Sequence, residues 1–146
     1  MTAQRSTPVL EVRGLTVEFP SRRGLVTAAE DVDLAVASGE ILGVVGESGA
    51  GKSTLGNAVM GLLDPPGRIA AGEILLEGSR IDTLGAQAMR RIRGKRVAMI
   101  FQDPLTSLDP LQTVGDQIVE TVVTHLGMSE SKARSRAVEL LGQVGI

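Results

Sequence analysis

The sequence predicts an α/β fold, and three observations lead to that prediction. Apolar and polar residues alternate near the start of the chain, as they do in a strand with one buried face. A continuous apolar run follows at residues 41–45, which is typical of a strand covered on both faces. Near the end of the chain, apolar residues recur at helical spacing over residues 114–126 and 133–144, which predicts two amphipathic helices.

Three short strands build a predicted antiparallel β subdomain. The alternation over residues 10–19 slips by one position at Gly14, which predicts a β-bulge there. Residues 20–24 are predicted to be a loop, and residues 32–36 to be a second alternating strand. The third strand is predicted at residues 72–78, between two glycines.

The remaining elements are predicted from periodicity and from helix breakers. A helix over residues 54–63 should end at the Asp-Pro-Pro-Gly sequence of residues 64–67, and another helix should cover residues 86–93. Residues 97–101 form a second continuous apolar run, which predicts another buried strand. Ser129 is the predicted N-cap of the last helix.

Composition excludes several classes of protein. The chain has no tryptophan or tyrosine and only two phenylalanines, Phe19 and Phe101, so its core must be aliphatic. Zero cysteines exclude disulfides and thiolate metal sites. No apolar run reaches the roughly 18 residues that a membrane-spanning helix needs, and the N-terminus lacks the apolar segment of a secretory signal.

The charged residues give no support for a nucleic-acid partner. The net charge is −2, and no aromatic residue accompanies the local basic cluster of Arg90, Arg91, Arg93, Lys95 and Arg96. We interpret this cluster as a solvated face. The only histidine, His125, is interpreted as a surface or boundary residue of a helix.

Residues 46–53 read Gly-Glu-Ser-Gly-Ala-Gly-Lys-Ser and match the P-loop pattern G-x-x-x-x-G-K-[ST] in full. Its glycines let backbone N–H groups approach phosphate oxygens, and the following helix presents its positive end to the same oxygens. Lys52 is predicted to neutralise the β- and γ-phosphates of ATP, and the Ser53 hydroxyl is predicted to bind Mg²⁺. The residues predicted to surround the phosphates are Gly46, Ser48, Gly49, Ala50, Gly51, Lys52, Ser53 and Thr54.

A second segment, residues 100–110, has two interpretations. Asp103 follows an apolar run, as does the acidic residue that holds Mg²⁺ in P-loop enzymes, although Gln102 intervenes and Pro104 begins a loop. Alternatively, the sequence FQDPLTSLDP resembles the Q-loop of ATP-binding cassette (ABC) ATPases, in particular the oligopeptide and dipeptide importer branch. The motif GESGAGKST is also similar to that branch, and the resemblance extends over residues 9–146.

This resemblance implies an ABC-type P-loop NTPase core with an antiparallel β subdomain, after a disordered start at residues 1–8. It implies that Phe19 stacks on adenine, and that Gln102 contacts Mg²⁺ and senses the γ-phosphate, so that Lys52 and Gln102 are the catalytic residues. Residues 103–110 are expected near a membrane-spanning subunit. The branch usually has Asn where Asp109 stands and often has Ser where Ala50 stands.

The sequence contains neither a Leu-Ser-Gly-Gly-Gln signature nor an apolar strand ending in Asp-Glu. We therefore expect a partial nucleotide-binding domain, truncated before those motifs. The resemblance implies hydrolysis in a dimer of two such domains, so the chain alone should bind ATP weakly and turn over little of it. An open sheet edge and exposed apolar surface are also expected.

The implied function is to energise import of peptides or similar small solutes at the cytoplasmic face of a bacterial membrane. The implied partners are permease subunits, a second nucleotide-binding domain and, indirectly, a solute-binding protein. Two alternatives remain open from the sequence. One is another P-loop NTPase or kinase that uses Asp103 as its magnesium acid, and the other is a non-catalytic interaction module that responds to nucleotide.

Overall fold

The computed structural model describes residues 7–22, 24–102 and 107–146. The predicted disordered start falls largely on residues 1–6, outside the described residues. The chain divides into two compact units, Met1–Arg90 and Arg91–Ile146. In the described part of the chain, no helix is long and apolar enough to cross a membrane.

The first unit contains one antiparallel sheet and its flanking helices. The sheet has the order β2-β1-β3-β4, and every strand pair in it is antiparallel. This confirms the predicted antiparallel β subdomain. In chain order the elements are β1 (Leu10–Ser21), β2 (Gly24–Val36), α1 (Lys52–Met60), β3 (Arg68–Leu76), β4 (Ser79–Arg80) and α2 (Ala86–Ile92), the last of which reaches into the second unit.

The predicted bulge at Gly14 is present in β1. The register changes between Val12, which faces Leu34, and Leu15, which faces Val32, so that one extra residue stands on β1. Gly14 takes a left-handed conformation, with φ 54°, and its N–H donates to Asp33 Oδ1 at 2.9 Å. The bulge lets the buried residues on both sides of it face the same core.

The core of the first unit is aliphatic, as the composition predicts. Its residues come from the sheet and from the helices of the unit. The largest fully buried side chains are Val12, Leu15, Val17, Ile74 and Ile81.

Several predicted boundaries were wrong. The strands β1 and β2 extend through most of the predicted loop at 20–24, because cross-strand pairing continues from Phe19–Val26 to Ser21–Gly24. Helix α1 begins two residues earlier than predicted and ends before Leu62, because Gly61 adopts the left-handed cap conformation, with φ 60°.

The two apolar runs are not the buried strands that the sequence predicts. Residues 41–45 have no strand partner in the described part of the chain, and Ile41 and Val45 are 97% and 93% exposed. In the second run, residues 97–101, only Val97 forms a bridge, to Arg93, and Ile100 is 93% exposed. A strand requires a hydrogen-bonded neighbour, and within residues 7–22, 24–102 and 107–146 neither run has one beyond the bridge at Val97. The expected exposed apolar surface is therefore present.

One polar cluster ties three strands of the sheet together. Arg80 forms hydrogen bonds with both oxygens of Asp82, and Asp82 Oδ1 also accepts from the Ile74 N–H at 2.9 Å. Glu73 pairs with Arg13 at 3.0 Å and with Arg80 at 3.6 Å. Burial acts to raise the pKa of Asp82, but the hydrogen bonds from Arg80 and Ile74 outweigh it, so this pKa lies below its usual value.

The second unit contains a helical hairpin whose elements agree with the sequence prediction. The helices are α3 (Val114–Leu126) and α4 (Glu130–Gln143), and their contact buries Val119, Val122, Ala133 and Ala137. Ser129 is the N-cap of α4, as predicted, but its side chain makes no capping hydrogen bond.

The start of α3 is capped by Thr113. The Thr113 hydroxyl accepts from the Asp116 N–H at 3.1 Å and donates to Asp116 Oδ2 at 2.7 Å. The hydrogen bond from Thr113, together with nearby Arg134, holds the pKa of Asp116 below its usual value. His125 is half-buried against Gly94, in agreement with its interpretation as a boundary residue.

Candidate nucleotide-binding site

An exposed loop at residues 46–50 joins the first apolar run to α1. Gly49 and Gly51 take left-handed conformations, with φ 84° and 81°. The N–H of Ala50 donates to the carbonyl of Glu47 at 3.2 Å, which closes a tight turn. Successive residues of this kind form a concave backbone surface that is suited to anions.

Helix α1 presents N–H groups beside this loop that have no partner among the described residues. Its first intrahelical bond runs from the N–H of Leu55 to the carbonyl of Gly51 at 2.9 Å. The N–H groups of Lys52, Ser53 and Thr54 therefore belong to the first turn, where a helix offers no acceptor. These donors and the positive end of the helix dipole favour a phosphate at this position.

The side chain of Lys52 folds back over the loop. Its Nζ donates to the carbonyl oxygens of Gly46 at 2.7 Å and Glu47 at 2.6 Å. These two bonds hold the ammonium group at the mouth of the loop. The cation and the N–H donors of α1 thus belong to one short segment of the first unit.

A bulge in β2 brings the backbone against the end of the loop. Val17 pairs with Ala29 and Glu18 pairs with Thr27, so Ala28 is an extra residue on β2. The carbonyl oxygen of Ala28 stands where a Cβ atom of residue 51 would be. Only glycine fits at position 51, because the contact and the left-handed φ both exclude a side chain.

A cleft of about 350 Å³ lies between this part of β2 and the loop. Its walls combine small and aliphatic side chains with the charged groups of Glu30 and Lys52. The residues that line it are Thr27, Ala28, Ala29, Glu30, Val32, Val44, Val45, Ala50, Gly51, Lys52 and Leu55.

The predicted adenine-stacking residue, Phe19, lies near the end of β1. It pairs with Val26 of β2, two positions before Ala28, and it is half-buried. A Cβ atom at Gly67 would stand 2.5 Å from Cε1 of the ring, so the ring rests on the backbone of Gly67.

The residues predicted to bind Mg²⁺ lie in different units. Ser53 is exposed in the first turn of α1, and in the described part of the chain its hydroxyl makes no hydrogen bond. Gln102 is exposed in the second unit, while Asp103 lies outside the described residues. No group of three or more His, Cys, Asp or Glu side chains among the described residues could hold a metal. One hydroxyl nevertheless fits Mg²⁺, which in phosphate sites takes most of its ligands from water and phosphate.

Comparison with known proteins gives the family. Residues 29–146, well over half of the chain, match the ABC transporter family. The chain belongs to this family. Membership favours the Q-loop interpretation of residues 100–110 over a kinase-like enzyme.

Two bacterial relatives of this ABC chain are peptide transport proteins. It is 46% identical over 138 residues to the dipeptide transport ATP-binding protein DppD of Haemophilus influenzae, a match that covers 94% of this chain and 42% of the relative. It is 46% identical over 143 residues to the oligopeptide transport ATP-binding protein OppD of Bacillus subtilis, covering 97% and 40%. The chain thus spans about two fifths of the length of these curated relatives.

Solved cassettes confirm the predicted fold class. The dimeric structure of MJ0796, a bacterial ABC transporter cassette, matches with a TM-score of 0.78 and 25% identity, over 91% of this chain and 56% of that chain. A post-hydrolysis state of MJ0796 bound to ADP and Pi matches with a TM-score of 0.75 and 24% identity, over the same shares of the two chains.

The sequence does not predict that Ala28 and Gly67 of this ABC chain contact site residues. Both contact predicted site residues through the backbone, so their side-chain types carry no chemical signal. The cross-strand register of β1 reveals both of them. A sequence alone gives no access to that register.

Proposed function

We propose that this chain is the ATP-binding part of a subunit that energises import of peptides or similar small solutes through an ABC transporter. Its relatives named above are peptide transport ATP-binding proteins. The observation that carries the proposal is the position of Lys52 Nζ, 2.7 Å from the carbonyl of Gly46, next to the open N-terminus of α1. A cation and the N–H donors of the first helical turn converge there, as a triphosphate requires.

ATP binds along the loop in this proposal. Its phosphate oxygens accept from the N–H groups of residues 52–54 and replace the carbonyls of Gly46 and Glu47 as partners of the Lys52 ammonium. The other residues of the loop, Ser48, Gly49, Ala50 and Gly51, form its concave wall. Phe19 supplies the stacking surface for adenine.

Ser53 is the proposed Mg²⁺ ligand of the first unit, and Gln102 is the proposed ligand of the second unit. When bound, the cation neutralises charge on the triphosphate oxygens. Lys52 stabilises the same charge directly, and Gln102 is proposed to sense the γ-phosphate. These two residues are the proposed catalytic residues of the chain.

Hydrolysis is proposed to occur in a dimer with a second nucleotide-binding domain, and the MJ0796 cassettes are themselves dimeric. Permease subunits and, indirectly, a solute-binding protein complete the proposed transporter, with this subunit at the cytoplasmic face of the membrane. We propose that the 146-residue chain alone binds nucleotide but turns over little of it.

Thermal unfolding with and without Mg-ATP tests the proposed site. Ligand at about 100 times its dissociation constant stabilises a native state by about 2.7 kcal/mol, which raises the unfolding midpoint by several degrees. Lys52→Ala should abolish this rise. Lys95→Ala removes an exposed lysine of the second unit and serves as the matched control, which should keep the full rise.

An ATP-induced rise that persists in Lys52→Ala would contradict the proposed role of the loop. A rise of equal size with Mg-tripolyphosphate would show that the phosphates alone account for binding, and the adenine role of Phe19 would fail. Lys52-dependent turnover of ATP by the isolated chain would contradict the proposal that hydrolysis needs a second domain.

A further inference from the structure

Phe19 and Gly67 face each other at the end of a strand ladder. The last paired position of β1 and β3 is Glu18 opposite Arg68, so the next position of this antiparallel register places Phe19 opposite Gly67. Arg68 also donates to Glu18 Oε2 at 3.0 Å, which fixes this end of the ladder. The only aromatic residue of the first unit thus stands across from a glycine.

The ring of Phe19 occupies the space that a side chain at position 67 would need. A Cβ atom at Gly67 would lie 2.5 Å from Cε1 and 2.9 Å from Cζ of the ring. The backbone of Gly67 is not in the left-handed region, so space alone requires glycine there. The same Cβ would also lie 2.8 Å from the carbonyl oxygen of Asp64. A test must therefore distinguish the effect of this contact from the effect of the contact with the ring.

The backbone of Phe19 lies close in the β1–β2 ladder to the bulge that contacts the phosphate loop. Phe19 pairs with Val26, and Ala28 lies two positions further along β2, roughly 7 Å at the usual rise of a strand. The carbonyl of Ala28 contacts Gly51 at the end of the loop. Because the ring is only half-buried, part of it remains available to a ligand.

We propose that Gly67 is a positioning residue for adenine recognition. Its missing side chain lets the Phe19 ring rest on the backbone just before β3. The inference rests on the proposed function, in which Phe19 stacks on the base. It adds a residue that touches neither nucleotide nor metal but determines where the stacking surface lies.

Binding of Mg-ATP and of Mg-tripolyphosphate to the 146-residue chain provides the test. Phe19→Ala should weaken ATP binding about tenfold and leave tripolyphosphate binding unchanged, because only ATP carries a base to stack. Gly67→Ala should weaken ATP binding about three- to tenfold, with tripolyphosphate again unchanged. Gly85→Ala is the matched control, since a Cβ there meets nothing within 4 Å, and it should bind both ligands normally.

The double variant separates the ring from the Asp64 carbonyl. If Gly67 acts through Phe19, adding Gly67→Ala to Phe19→Ala should cause no further loss of ATP affinity. Equal losses of ATP and tripolyphosphate affinity in Gly67→Ala would overturn the proposal, because the loop itself would then be disturbed. Normal ATP binding by Gly67→Ala together with weak binding by Phe19→Ala would overturn the inference and leave the proposed function intact.

Normal ATP binding by Phe19→Ala would instead refute the adenine role of Phe19, and the inference with it. If Gly67→Ala shows no cooperative unfolding transition, the double variant Phe19→Ala/Gly67→Ala tests whether the ring causes the loss of folding. Restored cooperative unfolding supports the proposal, because it shows that the ring is the group in conflict with the new side chain. If the double variant also shows no cooperative transition, the proposal is overturned, because the new side chain then conflicts with the turn at Asp64.

A second measurement reports the ring position directly. Phe19→Trp introduces the only tryptophan of the chain. Its emission should be quenched by Mg-ATP and unaffected by Mg-tripolyphosphate, and Gly67→Ala should reduce the quenching. Undiminished quenching in the Gly67→Ala background would count against the proposal.

Discussion

Lys52 Nζ lies 2.7 Å from the carbonyl oxygen of Gly46. The side chain of the first residue of α1 therefore reaches back across the preceding loop to its first residue. A second bond, to the carbonyl of Glu47 at 2.6 Å, keeps the ammonium over the same turn. Both carbonyls belong to exposed residues, so water can replace the lysine there. The interaction therefore prepares a cation for a phosphate and adds little to the stability of the fold.

Lys52→Ala should accordingly leave the free energy of unfolding of the ligand-free chain within about 1 kcal/mol of the parent, because exposed interactions contribute little. Urea denaturation without nucleotide measures this, with Lys95→Ala as the control. A loss well above that range would mean that the lysine holds the loop together.

Gly51→Ala should destabilise the first unit by about 2 kcal/mol or more and abolish the stabilisation by Mg-ATP. The new Cβ would strain a residue at φ 81° and displace the carbonyl of Ala28. Thermal unfolding with and without nucleotide measures both effects. The control is Gly85→Ala, whose Cβ enters open space, and equal behaviour of the two variants would refute the prediction.

Thr113→Ala should destabilise α3 by about 1 kcal/mol, because it removes a side chain that accepts from the Asp116 N–H at 3.1 Å. Ser129→Ala is a matched control at the N-cap of α4, where the side chain makes no capping bond, and it should cost only a few tenths of that amount. Amide hydrogen exchange reports the two helices separately. Similar losses of protection in both variants would contradict the assignment of the caps.

Asp82→Asn should destabilise the first unit by about 1–3 kcal/mol at pH 7, because the carboxylate is only 5% exposed and accepts charged hydrogen bonds from Arg80. The pKa of Asp82 is lowered on folding. Its contribution is therefore complete above the unfolded value near 4 and is lost as the pH falls through the lower folded value.

Urea denaturation between pH 7 and pH 2 measures this dependence. The parent chain should lose more stability than Asp82→Asn as the pH falls below about 4. Glu120→Gln changes an exposed carboxylate that has no ion pair in the described part of the chain, and it is the control for the loss of one negative charge. Parallel curves for the parent and Asp82→Asn would show that this carboxylate has the same pKa in both states.

Local patterns predict the elements that depend on local forces. The bounds of α3 agree with the apolar stripe from Val114 to Leu126, because the cap at Thr113 and the left-handed Gly127 stop the helix at both ends. The bulge at Gly14 was also predictable, since it shifts the parity of the buried residues. The P-loop was visible because its chemistry depends on residue types at fixed spacing.

Features that depend on pairing between distant segments were not predictable. The run at residues 41–45 has the composition of a buried strand, but a strand forms only where another backbone segment pairs with it. The bulge at Ala28 is marked by no glycine. The contact between Phe19 and Gly67 depends on the register of β1 against β3, which no local pattern specifies.

The bulge in β2 requires one extra residue in this strand, but it does not require a particular amino acid at that position. Ala28 meets Gly51 through its carbonyl oxygen, a group that every amino acid carries at that position. The contact therefore tolerates many substitutions at residue 28. Deletion of this one residue would instead remove the bulge, because the pairs Val17–Ala29 and Glu18–Thr27 would become consecutive, and it would withdraw the carbonyl from the loop. Among homologous chains, the residue type at position 28 should therefore vary, whereas the extra residue itself should be present.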